Sequence, residues 1–403
     1  MLDRFCDHAL KAILILLAAT SATAANPEWP QYRGPNRDGI STETGLFADL
    51  SKAGPKPLWK AKIGTGYSSV AVADGLAYVS GNVKDTDTIF CFDALTGKEI
   101  WRHSYPCKLI DSVSSGAIGG PASTPTVSDG AVYALSRDGD VFRFEARTGK
   151  VIWGKNLAQE IGAKMTYGYA SSPVIAGNLV IYNMNVAGVA VHKETGDVAW
   201  KSDAKPAGHA TPILIGNGPA QRVLITGSKS LVAVDPASGQ LAWDYPYKTR
   251  SDPLIIGQTM FLSSGPNQEN GCALLNLAAS SAPTVVWKAK GVMRTYFSTC
   301  VFLNGYLYGP DNAKSFQCID ARTGELKWSS DGFGMAGAIY ADGKLIMLSE
   351  NGELIIAEAT PEAYTELSRT QVLTGKCYTM PSLCAGKLYC RSVTGDLVCL
   401  AVK

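Results

Sequence analysis

Short hydrophobic segments, separated by turns that contain glycine, follow one another along most of the chain. Segments of this kind are typical of β-strands. One order recurs: a strand, a glycine turn, two further strands, an acidic or polar residue, then Thr-Gly or a variant of it, and finally a tryptophan. The pattern therefore predicts a repeat protein built from four-stranded β units.

The copies of this pattern differ little in length. Five of them are CFDALTGKEIW ending at Trp101, FEARTGKVIW at Trp153, VHKETGDVAW at Trp200, VDPASGQLAW at Trp243 and CIDARTGELKW at Trp328, and LLNLAASSAPTVVW at Trp287 is a degenerate sixth. Consecutive tryptophans are 52, 47, 43, 44 and 41 residues apart. These intervals are typical of the blades of a β-propeller.

Each repeated part of the motif has a physical role, as the first copy illustrates. Asp93 opens a tight turn, where its carboxylate accepts hydrogen bonds from nearby backbone N–H groups. Gly97 takes a positive φ at little cost. Trp101 then falls on the outermost strand, where we expect its ring to pack against the glycine turn of the neighbouring blade.

The two ends of the repeat region complete each other. The segment after Trp328 supplies a seventh blade that lacks its tryptophan, and the last 25 residues or so supply three strands only. PLWKAKIG, around Trp59, is an isolated outer strand. We therefore predict an all-β, eight-bladed propeller at residues 57–403, a single domain whose N-terminal strand closes the last blade and leaves no open sheet edge.

The amino-terminal residues have a different character. Residues 1–25 combine Arg4 and Lys11, a short apolar run and Ala22-Thr23-Ala24, which is typical of a cleaved signal peptide and predicts a periplasmic or secreted protein. Residues 26–56 form an arm that contains WPQYRGPNRDGIS. Its proline and glycine content predicts an extended segment laid on the propeller, with Trp29 and Tyr32 as anchors. We expect Trp29 to matter less for stability than the repeated tryptophans.

The D-A-x-T-G-x-x-x-W repeat resembles that of the quinoprotein-like (PQQ-repeat) propeller family. This family includes pyrroloquinoline-quinone dehydrogenases and outer-membrane assembly propellers, and the resemblance spans about residues 57–403, nearly the whole mature chain. It implies either a binding scaffold for envelope proteins or polymers, or a quinone-dependent alcohol or sugar dehydrogenase. Function does not follow from the fold alone.

One face of the predicted ring carries the candidate functional residues. There the chain enters each innermost strand, and these segments converge on the central channel; we call this the funnel face. Its chemically capable residues are Tyr67, Tyr169, His209, Arg250, Asp252, Arg294, Tyr296 and Tyr378. If tyrosines of this set stack on sugar rings, the protein is a carbohydrate-binding sensor module.

The dehydrogenase alternative requires more than these residues. By resemblance, such enzymes place the quinone against adjacent cysteines, with calcium ligands and an Asp base. This chain has no adjacent cysteine pair. The chief candidate for the base is Asp252 with Arg250 as its charge partner, and Arg294 with Asp311 or Asn312 is a second such pair. We therefore expect no catalytic residue, no metal and no cofactor, with PQQ and calcium as the alternative.

Charge and cysteine content narrow the remaining possibilities. A net charge of +2 gives no indication of nucleic-acid binding. No segment after the amino terminus is long and apolar enough to span a membrane. The last blade contains four cysteines, of which one pair could form a disulfide bond: Cys377, Cys384, Cys390 and Cys399. The sequence thus favours a monomeric, non-catalytic scaffold with an envelope protein or polymer as partner.

Overall fold

The computed structural model describes residues 27–48, 54–109, 119–163, 168–203, 206–227, 229–249, 251–265, 271–277, 281–295, 297–311, 314–335 and 337–403. The predicted signal peptide at residues 1–25, and the candidates Arg250, Tyr296 and Asn312, lie outside these ranges.

Thirty-two strands form eight antiparallel four-stranded sheets, which are the blades of a β-propeller. Blades 1 to 4 contain, from the innermost to the outermost strand, β2 (Ala71–Ala73), β3 (Leu76–Val83), β4 (Thr86–Asp93) and β5 (Glu99–Pro106); β6 (Thr126–Ser128), β7 (Ala131–Leu135), β8 (Asp140–Glu145) and β9 (Val151–Asn156); β10 (Val174–Ala176), β11 (Leu179–Tyr182), β12 (Val189–His192) and β13 (Val198–Lys201); and β14 (Ile213–Ile215), β15 (Arg222–Thr226), β16 (Leu231–Val234) and β17 (Leu241–Tyr245).

The second half of the ring repeats this order. Blades 5 to 8 contain β18 (Leu254–Ile256), β19 (Thr259–Ser263), β20 (Cys272–Asn276) and β21 (Thr284–Ala289); β22 (Val301–Leu303), β23 (Tyr306–Asp311), β24 (Ser315–Asp320) and β25 (Leu326–Asp331); β26 (Gly337–Ala341), β27 (Lys344–Leu348), β28 (Glu353–Glu358) and β29 (Glu366–Gln371); and β30 (Ser382–Cys384), β31 (Lys387–Arg391), β32 (Asp396–Ala401) and β1 (Pro57–Lys62). The all-β, eight-bladed prediction is confirmed.

Helical structure is confined to two short elements in the described residues. α1 (Leu157–Ile161) follows blade 2, and the side chain of Asn156 caps it by accepting a hydrogen bond from the N–H of Gln159. A 3-10 turn at Gly218–Ala220 joins β14 to β15. The described part of the chain contains no helix with the length and apolar character of a membrane span.

The predicted closure of the ring is confirmed by the pairing of β1 with β32, in which Trp59 lies opposite Cys399. The two ends of the repeat region therefore share one sheet, and the ring has no unpaired blade edge at the junction. Arg391 reinforces the junction from β31. Its buried guanidinium donates to the carbonyls of Ser80 and Ser68 at 2.8 and 3.2 Å and to that of Gly64 at 3.1 Å.

The repeated tryptophans pack between neighbouring blades, as the motif predicts. The ring of Trp101 covers Gly149 of blade 2, where a Cβ atom would lie only 2.5 Å from the ring. Its Nε1–H donates to the carbonyl of Ala146 in the same turn at 2.8 Å. Equivalent hydrogen bonds join Trp59 to Ala94, Trp153 to Lys193, Trp200 to Pro236, Trp287 to Ala321 and Trp328 to Thr360.

Every pair of third and fourth strands contains a register shift next to the tryptophan position. Such a bulge reorients the outer strand locally. In blade 7, where the sequence lacks a tryptophan, Ser368 lies opposite Ile356 at this position.

The cysteines are small core residues. Cys91, Cys318 and Cys399 lie opposite Tyr78, Tyr308 and Tyr389 on the neighbouring strands of their blades. All nine cysteines that the structure describes are buried free thiols, so none of the four in the last blade is bridged.

Candidate functional site in the central channel

The N-terminal arm lies against the innermost strands of the propeller. Trp29 exchanges two backbone hydrogen bonds with Val72 of β2, and the carbonyl of Pro30 accepts one from the N–H of Val127 in β6. Further along the arm, Ile40 pairs with Tyr340 of β26. Because these strands line the channel, the arm runs across its interior rather than over the outer surface of the ring.

The second half of the arm secures it to the last two blades. The N–H of Leu46 donates to the carboxylate of Asp342, and the N–H of Phe47 donates to the carbonyl of Val402. The carboxylate of Glu43 accepts a hydrogen bond from the N–H of Gly386. The arm thus joins blades that are far apart in sequence.

Trp29 is more deeply buried than the sequence suggested. Its ring is 1% exposed, compared with 8% for Trp101, and it covers Gly34, where a Cβ atom would come within 2.9 Å. That Trp29 matters less for stability than the repeated tryptophans stays a prediction, and its burial, at least as deep as theirs, argues against it. Tyr32, the second predicted anchor, donates from its hydroxyl to the sulfur of Met380.

A series of hydrogen bonds follows the channel wall just before the innermost strands. The N–H of Ser69 donates to the hydroxyl of Thr124, that of Thr124 to Ser172, that of Ser172 to Thr211, and that of Thr211 to Asp252. Each bond joins one blade to the same position of the next. Asp252, on blade 5, replaces the small hydroxyl residue and ends the series with a carboxylate.

Asp252 has an unusual electrostatic environment. Desolvation by burial raises the pKa of its carboxyl group to about 6, although Arg33, the N–H of Thr211 and Arg37 all act to lower it. A carboxyl group with a pKa this close to neutrality is able to exchange a proton near physiological pH. Its neighbours Arg33 and Arg37 both come from the arm.

Arg33 and Arg37 were not among the predicted site residues. The guanidinium of Arg33 is buried and donates to the carbonyls of Arg37, Asp38 and Cys300 at 2.8 to 3.0 Å. Arg37 extends in another direction and donates to the carbonyl of Pro173 at 3.0 Å. Both have a positive φ, 65° and 58°, a strained conformation for residues other than glycine.

Two predicted residues meet at the funnel face between blades 8 and 1. The rings of Tyr67 and Tyr378 are nearly parallel, with centroids 6.3 Å apart and an interplanar angle of 7°. The ammonium group of Lys376 lies 5.7 Å from the ring centre of Tyr378. Glu350 accepts from the Tyr378 hydroxyl at 3.2 Å and pairs with Lys376 at the same distance. Both tyrosines are half-buried.

The other predicted residues are dispersed. Tyr169 is 4% exposed and packs in the core of blades 2 and 3, so it does not line the accessible funnel, and burial raises its pKa to about 12. Arg294 is held by Asp311 in a two-contact ion pair of 2.9 and 2.6 Å. His209 is partly buried in the segment that leads into blade 4.

The described acidic side chains do not form a cluster of the kind that holds calcium. Among the described residues, no group of three or more His, Cys, Asp or Glu side chains lies close enough together to hold a metal ion. Calcium in proteins takes six to eight oxygen ligands, of which carboxylates are the main class. Asp252 has arginines rather than carboxylates as its charged neighbours.

The candidates from the sequence include Asp252, Tyr67 and Tyr378 but not the two arginines of the arm. The signal for them was the segment RGPNR, which places two cations within five residues of a proline- and glycine-rich arm. From the sequence alone these residues predict only an extended segment, because no local pattern indicates which blades the arm contacts.

Comparison with known proteins agrees with this architecture. The outer membrane protein assembly factor BamB of Burkholderia pseudomallei is 26% identical over 250 residues, which cover 50% of this chain and 63% of that protein. The matched region therefore spans less than two thirds of that relative's length.

Two solved structures share the fold. The crystal structure of BamB from Moraxella catarrhalis matches with a TM-score of 0.65 and 13% identity, over 86% of this chain and 100% of the other. The quinohemoprotein alcohol dehydrogenase from Comamonas testosteroni matches with a TM-score of 0.67 and 15% identity, over 94% of this chain and 81% of the other. At such identities the likeness concerns the fold alone.

A family model extends the comparison to more than half of the chain. The model for outer membrane protein assembly factor BamB matches residues 44–268 and 183–290. These ranges begin in the arm and cover blades 1 to 5. The chain belongs to the BamB family of PQQ-repeat β-propellers.

Proposed function

We propose that this protein is an exported, non-catalytic scaffold that binds other proteins during assembly of the bacterial outer membrane. Family membership carries the proposal. The proposed partners are envelope proteins, and the proposed location is the periplasm.

The architecture supports this function physically. Ring closure through β1 and β32 gives a rigid platform, and the arm crosses the channel, where this architecture otherwise offers space for a small ligand. The loops of the funnel face remain as the surface for recognition, which is the usual place for binding residues on a rigid framework.

A photocrosslinking experiment in the native host tests the proposal. A photoreactive phenylalanine analogue replaces Tyr378 on the funnel face, and a matched control replaces Arg147 in an exposed turn on the opposite face. We expect crosslinks from position 378 to outer-membrane assembly proteins and none from position 147. Deletion of the gene should lower the amounts of outer-membrane β-barrel proteins measured by quantitative mass spectrometry. Unchanged amounts together with no crosslink would reject the scaffold function.

One observation favours a second candidate, a quinone-dependent dehydrogenase: Asp252 has a pKa raised to about 6 beside the channel. Titration with pyrroloquinoline quinone and Ca²⁺, followed by dye reduction with alcohols and aldoses, tests it. We expect neither saturable binding nor turnover, because the charged neighbours of Asp252 are arginines, which do not ligate Ca²⁺. Stoichiometric binding with turnover that Asp252→Asn abolishes would replace the scaffold function by catalysis.

A further inference from the structure

We propose that Arg33 and Arg37 form an anion-binding site inside the propeller channel, which takes a small multi-oxygen anion such as sulfate, phosphate or a carboxylate. The site is independent of the proposed scaffold function. It rests on the hydrogen bonding and the charge balance of the two guanidinium groups.

The first argument is that both arginines have a buried nitrogen without a hydrogen-bond acceptor. Nη1 of Arg33 and Nη1 of Arg37 are both inaccessible and have no bonding partner among the described residues. The remaining bonds of these side chains all go to backbone carbonyls. A charged N–H group that is buried and unbonded is unfavourable, because it has lost its hydrogen bonds to water, so an acceptor is expected there.

The second argument concerns charge. In the parts of the chain that the structure describes, Asp252 is the acidic side chain that acts on both groups, yet none of their hydrogen bonds reaches it. Two cations and one carboxyl group leave an excess positive charge in a desolvated place. Burial accordingly lowers the pKa of Arg37 to about 10. An uncompensated buried charge is strongly unfavourable, and a bound anion relieves it.

Other arginines of this protein show that the arrangement is specific. Three others that have a buried nitrogen without a hydrogen bond each have a carboxylate partner: Arg137 with Asp138, Arg143 with Glu194 and Arg222 with Asp235. Arg391 has none of these unbonded nitrogens, because backbone carbonyls accept from its guanidinium. Arg33 and Arg37 therefore combine an unbonded buried nitrogen with the lack of a hydrogen-bonded carboxylate, and none of these four arginines shows both features.

The backbone of the arm supports a binding role as well. Both arginines have a left-handed φ, which is unfavourable for a residue with a side chain. The hydrogen bonds of the arm to both ends of the ring hold this conformation in place. The guanidinium groups are thus fixed before a ligand arrives, and a fixed planar donor fork suits an oxyanion. Arg37, Asp252 and Tyr32 retain partial exposure, whereas the unbonded nitrogens themselves are inaccessible, so an anion reaches them only when neighbouring side chains move.

Thermal unfolding and isothermal titration calorimetry with sulfate, phosphate and acetate test this site. Chloride at equal ionic strength serves as the reference, because sulfate and phosphate also stabilise proteins without a site. A specific anion should raise the unfolding temperature in a saturable way. The three anions distinguish a tetrahedral oxyanion from a carboxylate as the preferred ligand.

Three variants separate the site from general salt effects. Arg37→Gln, which loses one hydrogen bond to the ring, should raise the Kd for the preferred anion by about tenfold or more, since a charge-assisted pair is lost. Asp252→Asn should tighten binding by removing a repelling carboxylate. The matched control Arg102→Gln changes an exposed arginine on the outer strand of blade 1 and should bind as the wild type does. No saturable binding by any of the three anions, or equal binding by Arg37→Gln and the wild type, would overturn the proposal.

Discussion

Truncation of Trp101 tests how neighbouring blades hold together. The side chain is 8% exposed, and its ring lies 5.5 Å from that of Phe144 in the next blade and 5.9 Å from that of Tyr78 in its own blade. Trp101→Ala should lower the free energy of unfolding by about 3 to 5 kcal/mol, as deletion of a buried aromatic side chain does. The lost indole hydrogen bond adds little, because Ala146 still accepts from the Tyr78 hydroxyl.

The glycine beneath the ring provides a sharper measurement. Gly149 has a φ of 71°, and an added Cβ would lie 2.5 Å from the ring of Trp101. Gly149→Ala in the wild type should therefore cost about 2 to 5 kcal/mol, from backbone strain of about 1 to 2 and overpacking of about 1 to 3. In the Trp101→Ala background only the strain remains.

A double-mutant cycle measures this difference in the cost of Gly149→Ala between the two backgrounds. Urea unfolding of the wild type, both single variants and the double variant, each without residues 1–25, gives the interaction free energy between the two positions. We expect the double variant to be about 1 to 3 kcal/mol more stable than the sum of the single effects predicts. Additive effects, within the error of the unfolding curves, would refute the close packing of the tryptophan on the neighbouring turn.

Two further outcomes follow from buried charges. Arg391→Lys should destabilise the ring by about 2 to 4 kcal/mol in urea unfolding. The reason is that an ammonium group does not reproduce the donor geometry of the guanidinium, which satisfies three carbonyls at the junction of blades 8 and 1. A change below about 0.5 kcal/mol would show that the junction does not depend on this guanidinium. Asp252, whose folded pKa of about 6 lies above its unfolded value, binds its proton more tightly when folded. Compared with Asp252→Asn, the wild type should therefore lose about 2 kcal/mol of stability as pH rises from about 4 to 7. Parallel stability curves for the two proteins would contradict the raised pKa.

The blades could be predicted from local sequence patterns. Spacing of the tryptophans, together with the glycine of each turn, specified both the four-stranded unit and its contact with the next unit, because these residues act over one blade length. The isolated strand at Trp59 and the incomplete last blade also specified the closure, which the pairing of Trp59 with Cys399 confirms. The sequence also predicts that blade 7 lacks its tryptophan, and in the structure Ser368 occupies that position.

The contents of the channel could not be predicted in this way, because they depend on contacts between distant parts of the chain. Tyr169 and Tyr378 both come from segments that lead into an innermost strand, yet one is buried in the core and the other is half-exposed beside Tyr67. The arm carries no repeat, so its path across the ring depends on contacts with blades up to about 360 residues away in the chain, such as that between Pro27 and Cys384. Local patterns specify a repeating unit because its contacts are short in sequence, whereas the charges of Arg33 and Asp252 meet only because the ring has closed around the arm.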